Sequence, residues 1–272
     1  MIKKMEKKKI NSTGENIDFY SDAIGNAAEF SFEEFLKWFN ANTNITEVVD
    51  SGYKDFFGEI LKGKLYDATR KNSKEMTALE IGCGGGRLMN ASCKYFGKVM
   101  GFDIHSNLAL AEKFLKSRGN ENFELNKIND DRFSVENNSV DFIYSYIVFQ
   151  HVLKMNCFES YAKEISRVLK DRGLAIIYFG RPRFFSLIIS DNIFLDTATF
   201  ILDRFIFEGI FLNLFRNGYQ ENGQVKVNTV NLVTTMRKAE AVFKKNGLKI
   251  LEKGFTRRNK GFGTQYYLIL SK

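Results

Sequence analysis

The chain has 272 residues, of which 44% are hydrophobic and 26% are charged, and it carries a formal net charge of +8. This balance is typical of a globular protein and excludes an intrinsically disordered chain. No run approaches the ~18 apolar residues that a membrane span needs. The three cysteines lack disulfide and zinc-ligand spacing, so we expect a cytoplasmic protein without a metal site.

The N-terminal part of the chain is predicted to precede the main domain. Residues 1–15 begin with "MIKKMEKKK" and are predicted to be a disordered basic tail. A solvated end is the preferred interpretation, and contact with nucleic acid or an anionic membrane surface is the alternative. Residues 16–72 are predicted to be a helical lid region, because aromatic residues recur at roughly helical spacing. The stripe consists of Phe30, Phe35, Trp38 and Phe39, for most of which core packing is expected.

From Thr77 onward, short apolar segments alternate with amphipathic ones. The predicted strands are "TALEI", "KVMGFD", "NFEL", "VDFIYSYIVF" and "LAIIYFG", followed near the C-terminus by "LKILEKGF" and "TQYYLIL". Helices are predicted between them, of which one is expected to be capped by Ser106 and another to end at Gly173. This alternation predicts an α/β fold with a mostly parallel sheet and helices on both faces.

The predicted main domain comprises residues 73–182 and 231–272, and residues 183–230 interrupt it. Eight phenylalanines lie between Phe184 and Phe215, and apolar residues cover more than one side of a helix drawn through this segment. A helix that is apolar all round must be buried. We therefore expect an aromatic-rich cap insertion that closes over the substrate, with a homodimer contact or a membrane-surface contact as alternatives.

The stretch "TALEIGCGGGRLMN" joins the first predicted strand to the next helix. Glycine is needed where the backbone turns sharply and where a ligand approaches the main chain closely. Dinucleotide sites use G-x-G-x-x-G, but the last position of that pattern is Arg87 here. The sequence instead has E-x-G-x-G-x-G, formed by Glu80, Gly82, Gly84 and Gly86.

This glycine motif resembles the first motif of class I S-adenosylmethionine-dependent methyltransferases. Asp103 follows about 20 residues later, at the end of the second predicted strand. The segments "NNSVDFIYSYIVFQHV" and "ISRVLKDRGLAIIYFG" are similar to later motifs of that superfamily. The resemblance covers roughly residues 75–182 and 231–272, and it is closest to the small-molecule type called methyltransferase domain 11. It implies a Rossmann-like, seven-stranded sheet and the cofactor S-adenosylmethionine, with S-adenosylhomocysteine (SAH) as product.

The resemblance also implies a set of cofactor-binding residues: Glu80, Gly82, Cys83, Gly84, Arg87, Asp103, Ile104, Asn129, Asp130 and Tyr146. The main chain at 82–84 is expected to lie against the amino-acid and ribose part, because no side chain fits there. Asp103 is expected to hold both ribose hydroxyls, with a helix-entry cap as the alternative, and Ile104 is expected to pack on the adenine. Either Asn129 or Asp130 is expected to contact the adenine amino group.

Several positions keep more than one interpretation. Glu80 either interacts with the ammonium side of the cofactor or braces the turn. Arg87 either meets the cofactor carboxylate or is a solvated or ion-paired arginine. His105 is expected beside the adenine or in solvent, and Asp141 is expected to sit in a turn or to hydrogen-bond to backbone. Tyr146, just past the fourth strand, is expected to border the methionine end.

His151 is the candidate catalytic residue. It follows the fourth predicted strand, in "VFQHV". Because the ordinary pKa of histidine lies near neutrality, it could act as a general base that removes a proton from a substrate hydroxyl. The alternative is a histidine that packs against or caps the following helix.

Motifs that several substrate classes need are missing from the sequence. There is no Asn/Asp-Pro-Pro-Tyr, no Pro-Cys nucleophile and no acid at the end of the fourth strand. We therefore expect a small-molecule acceptor, such as a sugar or glycan precursor, methylated on oxygen or nitrogen by in-line displacement. No nucleic-acid partner is expected. The alternatives are a non-catalytic cofactor-binding partner protein on the same fold and a nicotinamide-dependent oxidoreductase.

Overall fold

The computed structural model describes residues 31–40, 43–128, 132–152, 154–180, 232, 234–256 and 265–272. The predicted tail at 1–15 and the predicted cap insertion at 183–230 lie outside the described residues, so their roles stay predictions. No helix in the described ranges is long and apolar enough to cross a membrane.

A seven-stranded sheet forms the centre of the domain, with strand order β3-β2-β1-β4-β5-β7-β6. The strands are β1 (Thr77–Ile81), β2 (Lys98–Asp103), β3 (Phe123–Lys127), β4 (Val140–Ser145), β5 (Leu169–Gly180), β6 (Lys249–Phe255) and β7 (Gln265–Ser271). Strands β1 to β5 pair in parallel, and β7 runs antiparallel to both β5 and β6. The predicted Rossmann-like α/β fold is confirmed. The strand order reverses between β1 and β4, where open α/β sheets bind their ligands.

Helices cover both faces of this sheet. They are α1 (Phe32–Asn40), α2 (Ile45–Asp55), α3 (Lys64–Thr69), α4 (Arg87–Tyr95), α5 (Leu108–Ser117), α6 (Met155–Val168) and α7 (Met236–Lys245), and a π-helical turn, Phe56–Ile60, follows α2. Helices α6 and α7 pack with Leu79 and Ile81 on one face. Helices α4 and α5 pack with Ala78 on the other face. Both faces of β1 are thus buried, as its continuous apolar sequence predicts.

The N-terminal helices pack on the same face as α4. Core packing is confirmed for Phe35, which is fully buried, and Phe39 packs partly buried against the same cluster. Trp38 is 37% exposed, and Phe30 lies outside the described residues. Gly52 of α2 lies against the first turn of α4, because a Cβ atom there would stand 2.4 Å from the carbonyl oxygen of Arg87. Helices α2 and α4 therefore cross at a contact that only glycine allows.

Two boundaries that the sequence predicted, the end of α6 and the end of the fourth strand, are wrong. Helix α6 ends at Val168 and not at Gly173, because Leu169 already pairs with Val140 in the sheet. Residues 169–173 belong to β5 through an irregular stretch in which Arg172 has a φ of 65°. The fourth strand was predicted to reach residue 149 but ends at Ser145.

The predicted cap of α5 is also wrong. Asn107 occupies the N-cap position, and its side chain makes no capping hydrogen bond. The Ser106 hydroxyl instead accepts a hydrogen bond from Lys127 at 3.0 Å. A residue on the neighbouring strand β3 therefore engages the side chain that local sequence assigned to the helix.

Candidate active site

The glycine loop connects β1 to α4 at the point where the strand order reverses. Gly82, Gly84 and Gly86 have φ angles of +78°, +49° and +82°. These left-handed torsions are strained for residues with side chains, so the sequence needs glycine at all three positions. The predicted sharp turn is confirmed.

Side chains from distant parts of the chain pack against Gly82 and Gly84. A Cβ atom on Gly82 would lie 2.1 Å from a methyl carbon of Val148, and one on Gly84 would lie 3.1 Å from the ring of Phe39. Phe39 comes from α1, and Val148 comes from the loop after β4. Neither contact is visible in the sequence, because these residues lie more than 40 positions from the glycines they touch.

Asp103 ends β2 and ties the glycine loop to the loop that follows it. One carboxylate oxygen accepts a hydrogen bond from the backbone N–H of Gly84 at 2.7 Å. The other accepts from the backbone N–H of Ile104 at 2.7 Å. The side chain is 9% exposed, so an acidic group stands at the edge of the sheet beside the main chain that the motif predicts to bind the cofactor.

His105 is fully buried, so the solvent alternative for this residue is wrong. Its Nδ1 atom accepts the backbone N–H of Asn107 at 3.1 Å, which leaves the proton on Nε2, 3.1 Å from the carbonyl oxygen of Gly84. The Phe39 ring packs against the imidazole at a centroid distance of 4.4 Å. Helix α1 therefore covers the glycine loop through Phe39 and His105, a contribution that sequence reasoning missed.

Glu80 is 3% exposed and lies on β1, directly beside Tyr144 of β4 in the sheet register. The Tyr144 hydroxyl donates a hydrogen bond to the Glu80 carboxyl group at 3.0 Å. Burial raises the pKa of this carboxyl group to about 8, against the opposing effects of the Tyr144 hydrogen bond and the nearby charge of Arg87. Tyr144 is a further site residue that the sequence analysis did not identify.

Arg87, the first residue of α4, forms an ion pair with Asp55 of α2 at 2.6 Å. The guanidinium group also donates to the backbone carbonyl of Ser51 at 3.0 Å. These contacts correspond to the ion-paired interpretation, and contact with the cofactor stays a prediction. The neighbouring Cys83 is buried, and burial raises the pKa of its thiol well above the ordinary value.

Tyr146 lies just beyond β4, where the chain turns through Ile147 with a φ of 72°. Its ring meets the ring of Tyr178 edge to face at 4.9 Å. The Tyr178 hydroxyl donates to a carboxylate oxygen of Glu59 at 2.9 Å. The loop after β4 is therefore connected to the N-terminal region through an aromatic pair.

His151 is partly exposed in the turn after β4, and its backbone N–H donates to the carbonyl of Val148 at 2.8 Å. Gln150 lies beside it, with its amide nitrogen 3.4 Å from Nε2 of the imidazole. The oxygen of the same amide accepts from Gln265 at 3.0 Å, which fixes the orientation of the Gln150 amide. A buried pair of glutamines thus supports the predicted catalytic residue.

Three predicted positions have other outcomes. Asn129 and Asp130 lie outside the described residues, so their contact with adenine stays a prediction. Asp141 accepts the backbone N–H of Thr77 at 2.9 Å and pairs with Lys170 at 2.9 Å. The structural interpretation of Asp141 is therefore confirmed.

The residues at this edge fit S-adenosylmethionine in two respects. The loop carries left-handed glycines where main chain must lie close to a ligand. An acidic side chain, Asp103, stands next to that loop, where a carboxylate can accept hydrogen bonds from ribose hydroxyls. The side chains of Phe39 and Val148 are the parts of the protein that a cofactor on the loop would contact or displace.

Comparison with known proteins agrees with the fold described above. Residues 79–177 match the family model described as a methyltransferase domain. The chain is similar in structure to magnesium protoporphyrin IX methyltransferase from Synechocystis PCC 6803 with bound SAH, at a TM-score of 0.62 and 11% identity, covering 94% of this chain and 99% of that chain. No curated protein matches this chain in sequence.

Two further structures show the same fold. An S-adenosylmethionine-dependent methyltransferase from Methanosarcina mazei has a TM-score of 0.53 and 19% identity, covering 72% of this chain and 92% of that chain. One from Clostridium acetobutylicum has a TM-score of 0.53 and 14% identity, covering 84% and 99%. The match to the methyltransferase domain model over residues 79–177, together with a fold shared with class I S-adenosylmethionine-dependent methyltransferases, supports a methyltransferase of that kind. The matched residues lie within the first segment of the predicted main domain, residues 73–182.

Proposed function

We propose that this enzyme transfers a methyl group to an oxygen or nitrogen nucleophile of a small molecule by in-line displacement. The observation that carries the proposal is the Asp103 carboxylate bound to the Gly84 N–H at the edge where the strand order reverses. The sulfonium of S-adenosylmethionine supplies an activated methyl group. The chain therefore has to orient two ligands and exclude water, and strong acid–base catalysis is not required.

Each part of the site has a role in this proposal. The main chain of the glycine loop faces the nucleoside of the cofactor. The Asp103 carboxylate accepts hydrogen bonds from the ribose hydroxyls of that nucleoside. Helix α1 shields the loop from water, because Phe39 packs directly on His105 and Gly84. Tyr146, in the loop that follows β4, borders the side from which the acceptor enters.

His151 is the proposed general base for an acceptor hydroxyl. The partly exposed imidazole lies in the turn after β4, and the buried Gln150 amide beside it limits its movement. A base in this position would take the proton that the acceptor loses as the new bond to carbon forms.

The domain arrangement is part of the same proposal. Residues 73–182 and 231–272 are the catalytic core, residues 16–72 form the lid, and residues 183–230 close over the acceptor. The contacts of α1 with the glycine loop and the Asp55–Arg87 ion pair support the lid role of the N-terminal helices.

Calorimetric titration with SAH and with S-adenosylmethionine tests cofactor binding directly. We expect saturable binding of both by the wild-type protein and at least ~10-fold weaker binding by Asp103→Asn, which loses the charge facing the ribose. Asp141→Asn is the matched control, because Asp141 binds Thr77 and Lys170 away from the loop. Binding of a nicotinamide nucleotide in place of SAH would contradict the proposal.

The acceptor is identified by incubating the enzyme with isotopically labelled donor and a metabolite extract, followed by mass spectrometry. We expect a labelled small molecule whose mass increases by one methyl group. Tight cofactor binding without any labelled product, in extracts that support other methyltransferases, would favour a non-catalytic partner protein.

A further inference from the structure

We infer that Tyr144 is a positioning residue for the cofactor: its buried hydroxyl orients the Glu80 carboxyl group at the base of the glycine loop and favours the ionised form, which an ammonium group recognises. The inference rests on the proposed function, because it concerns the ammonium end of the methyl donor.

The sheet itself brings the two side chains together. Glu80 and Tyr144 are directly paired in the parallel register of β1 and β4, and both are buried on the face that carries α4. The Tyr144 ring is fixed by Phe56 and Phe142, at centroid distances of 5.8 and 6.1 Å. The hydroxyl therefore has little freedom to turn away from the carboxyl group, which it meets at 3.0 Å.

The carboxyl group depends on this hydroxyl for its hydrogen bonding. Among the residues that the structure describes, Tyr144 is the one hydrogen-bond donor to Glu80. Burial also raises the pKa of Tyr144 well above its ordinary value, so its hydroxyl stays protonated and remains a donor across the accessible pH range. A neutral donor fixed in this way favours the ionised form of the acid it contacts.

Other groups near Glu80 also affect the ionisation of its carboxyl group. Arg87 of α4 faces Glu80 and favours its ionised form, although Arg87 also pairs with Asp55 of α2. Asp103 of β2 is a second acid facing Glu80 and opposes ionisation. The thiols of Cys83 and Cys93 face the same region, but burial raises the pKa of both, so they stay neutral.

A positively charged ligand group would complete this arrangement. An ammonium group near Glu80 favours the carboxylate, so binding is strongest where the carboxylate is already formed. Because the pKa of Glu80 lies at about 8 without ligand, affinity for the cofactor should rise with pH through that value. Loss of the Tyr144 hydroxyl should move the rise to higher pH by about one to two pH units.

The test is the affinity for SAH from about pH 6.5 to about pH 9.5, measured by calorimetry for the wild type, Tyr144→Phe and Glu80→Gln. Below the wild-type midpoint, we expect Tyr144→Phe to bind about 10- to 100-fold more weakly, with the gap closing at high pH. Glu80→Gln should lose the pH dependence that the Glu80 carboxyl group causes. Any pH dependence that this variant retains comes from the ligand's own amino group and is subtracted from the other profiles.

Tyr267→Phe is the matched control. It removes a tyrosine hydroxyl that donates to Glu252 at 3.0 Å on the antiparallel side of the sheet. Its pH profile should coincide with that of the wild type. A Tyr144→Phe protein that binds with the wild-type affinity, or is weakened by the same factor at every pH, would overturn the inference.

A measurement on the wild-type protein covers the case in which Tyr144→Phe does not fold. Calorimetry near neutral pH in two buffers of different ionisation enthalpy reports proton release on SAH binding, which Glu80→Gln should abolish. Binding without proton release overturns the inference alone. A wild-type protein that binds no SAH at any pH overturns the proposed function as well.

Discussion

The substitution Gly82→Ala tests the construction of the glycine loop. Two costs add at this position: the left-handed backbone, and the overlap of the new methyl group with Val148, 2.1 Å away. The backbone term is about 1–2 kcal/mol, and overpacking in a packed site costs about 1–3 kcal/mol. We therefore expect a loss of about 2–5 kcal/mol in the free energy of unfolding, measured by urea denaturation followed by circular dichroism.

The chain provides a control that separates these two costs. Gly247 has a φ of +82°, but a Cβ atom there would have nothing within 4 Å. Gly247→Ala should therefore show the backbone cost alone, about 1–2 kcal/mol. Adding Val148→Ala to Gly82→Ala should recover about 1–3 kcal/mol of the loss expected from the two single variants. If Gly82→Ala were no more destabilising than Gly247→Ala, the close contact with Val148 would be refuted.

Three further predictions concern stability and chemistry at the site. Burial raises the pKa of Glu80 from 4.5 to about 8. The protonated carboxyl group therefore contributes fully to stability below about pH 4.5, and this contribution is lost as pH rises through about 8. The total loss in the free energy of unfolding is at most about 5 kcal/mol. Glu80→Gln should therefore gain stability relative to the wild type as pH increases in urea titrations, and a constant difference would contradict the assignment. Phe39→Ala should weaken SAH binding and cost about 1–3 kcal/mol, because the partly buried ring loses its 4.4 Å contact with His105; intact stability would show that α1 does not cover the loop. His151→Ala should lower turnover by at least ~100-fold while SAH affinity stays unchanged, and near-normal turnover would return His151 to a structural role.

The sequence was most informative where one local requirement determined the residue. The left-handed torsions of the loop require glycine, and continuous apolar segments predict strands buried on both faces, so the loop and the parallel strands were predictable. The end of α6 was not, because Leu169 leaves the helix to pair with Val140 on a strand almost 30 residues away. Pairing of this kind depends on the assembled sheet and has no local signal.

In the candidate site, too, some features were predictable from local sequence and others depended on the assembled fold. The position of Asp103 at a strand end follows from the motif and its spacing, but its hydrogen bond with Gly84 required the structure. Tyr144 lies within the predicted strand "VDFIYSYIVF", and its contact with Glu80 depends on the register between β1 and β4. Phe39 belonged to a stripe expected to fill the core, and nothing in its local sequence indicates the contact with His105.

The crossing of α2 and α4 has a consequence for how the enzyme can be divided. A fragment beginning at Thr77 would keep every strand of the sheet but would separate Arg87 from the carboxylate of Asp55. It would also uncover the aromatic surface around Tyr144 that Phe56 now covers. An apolar surface of this kind promotes self-association in water. The segment before the sheet is therefore a structural part of the catalytic unit, and shortening the enzyme to its family domain should yield an aggregating protein.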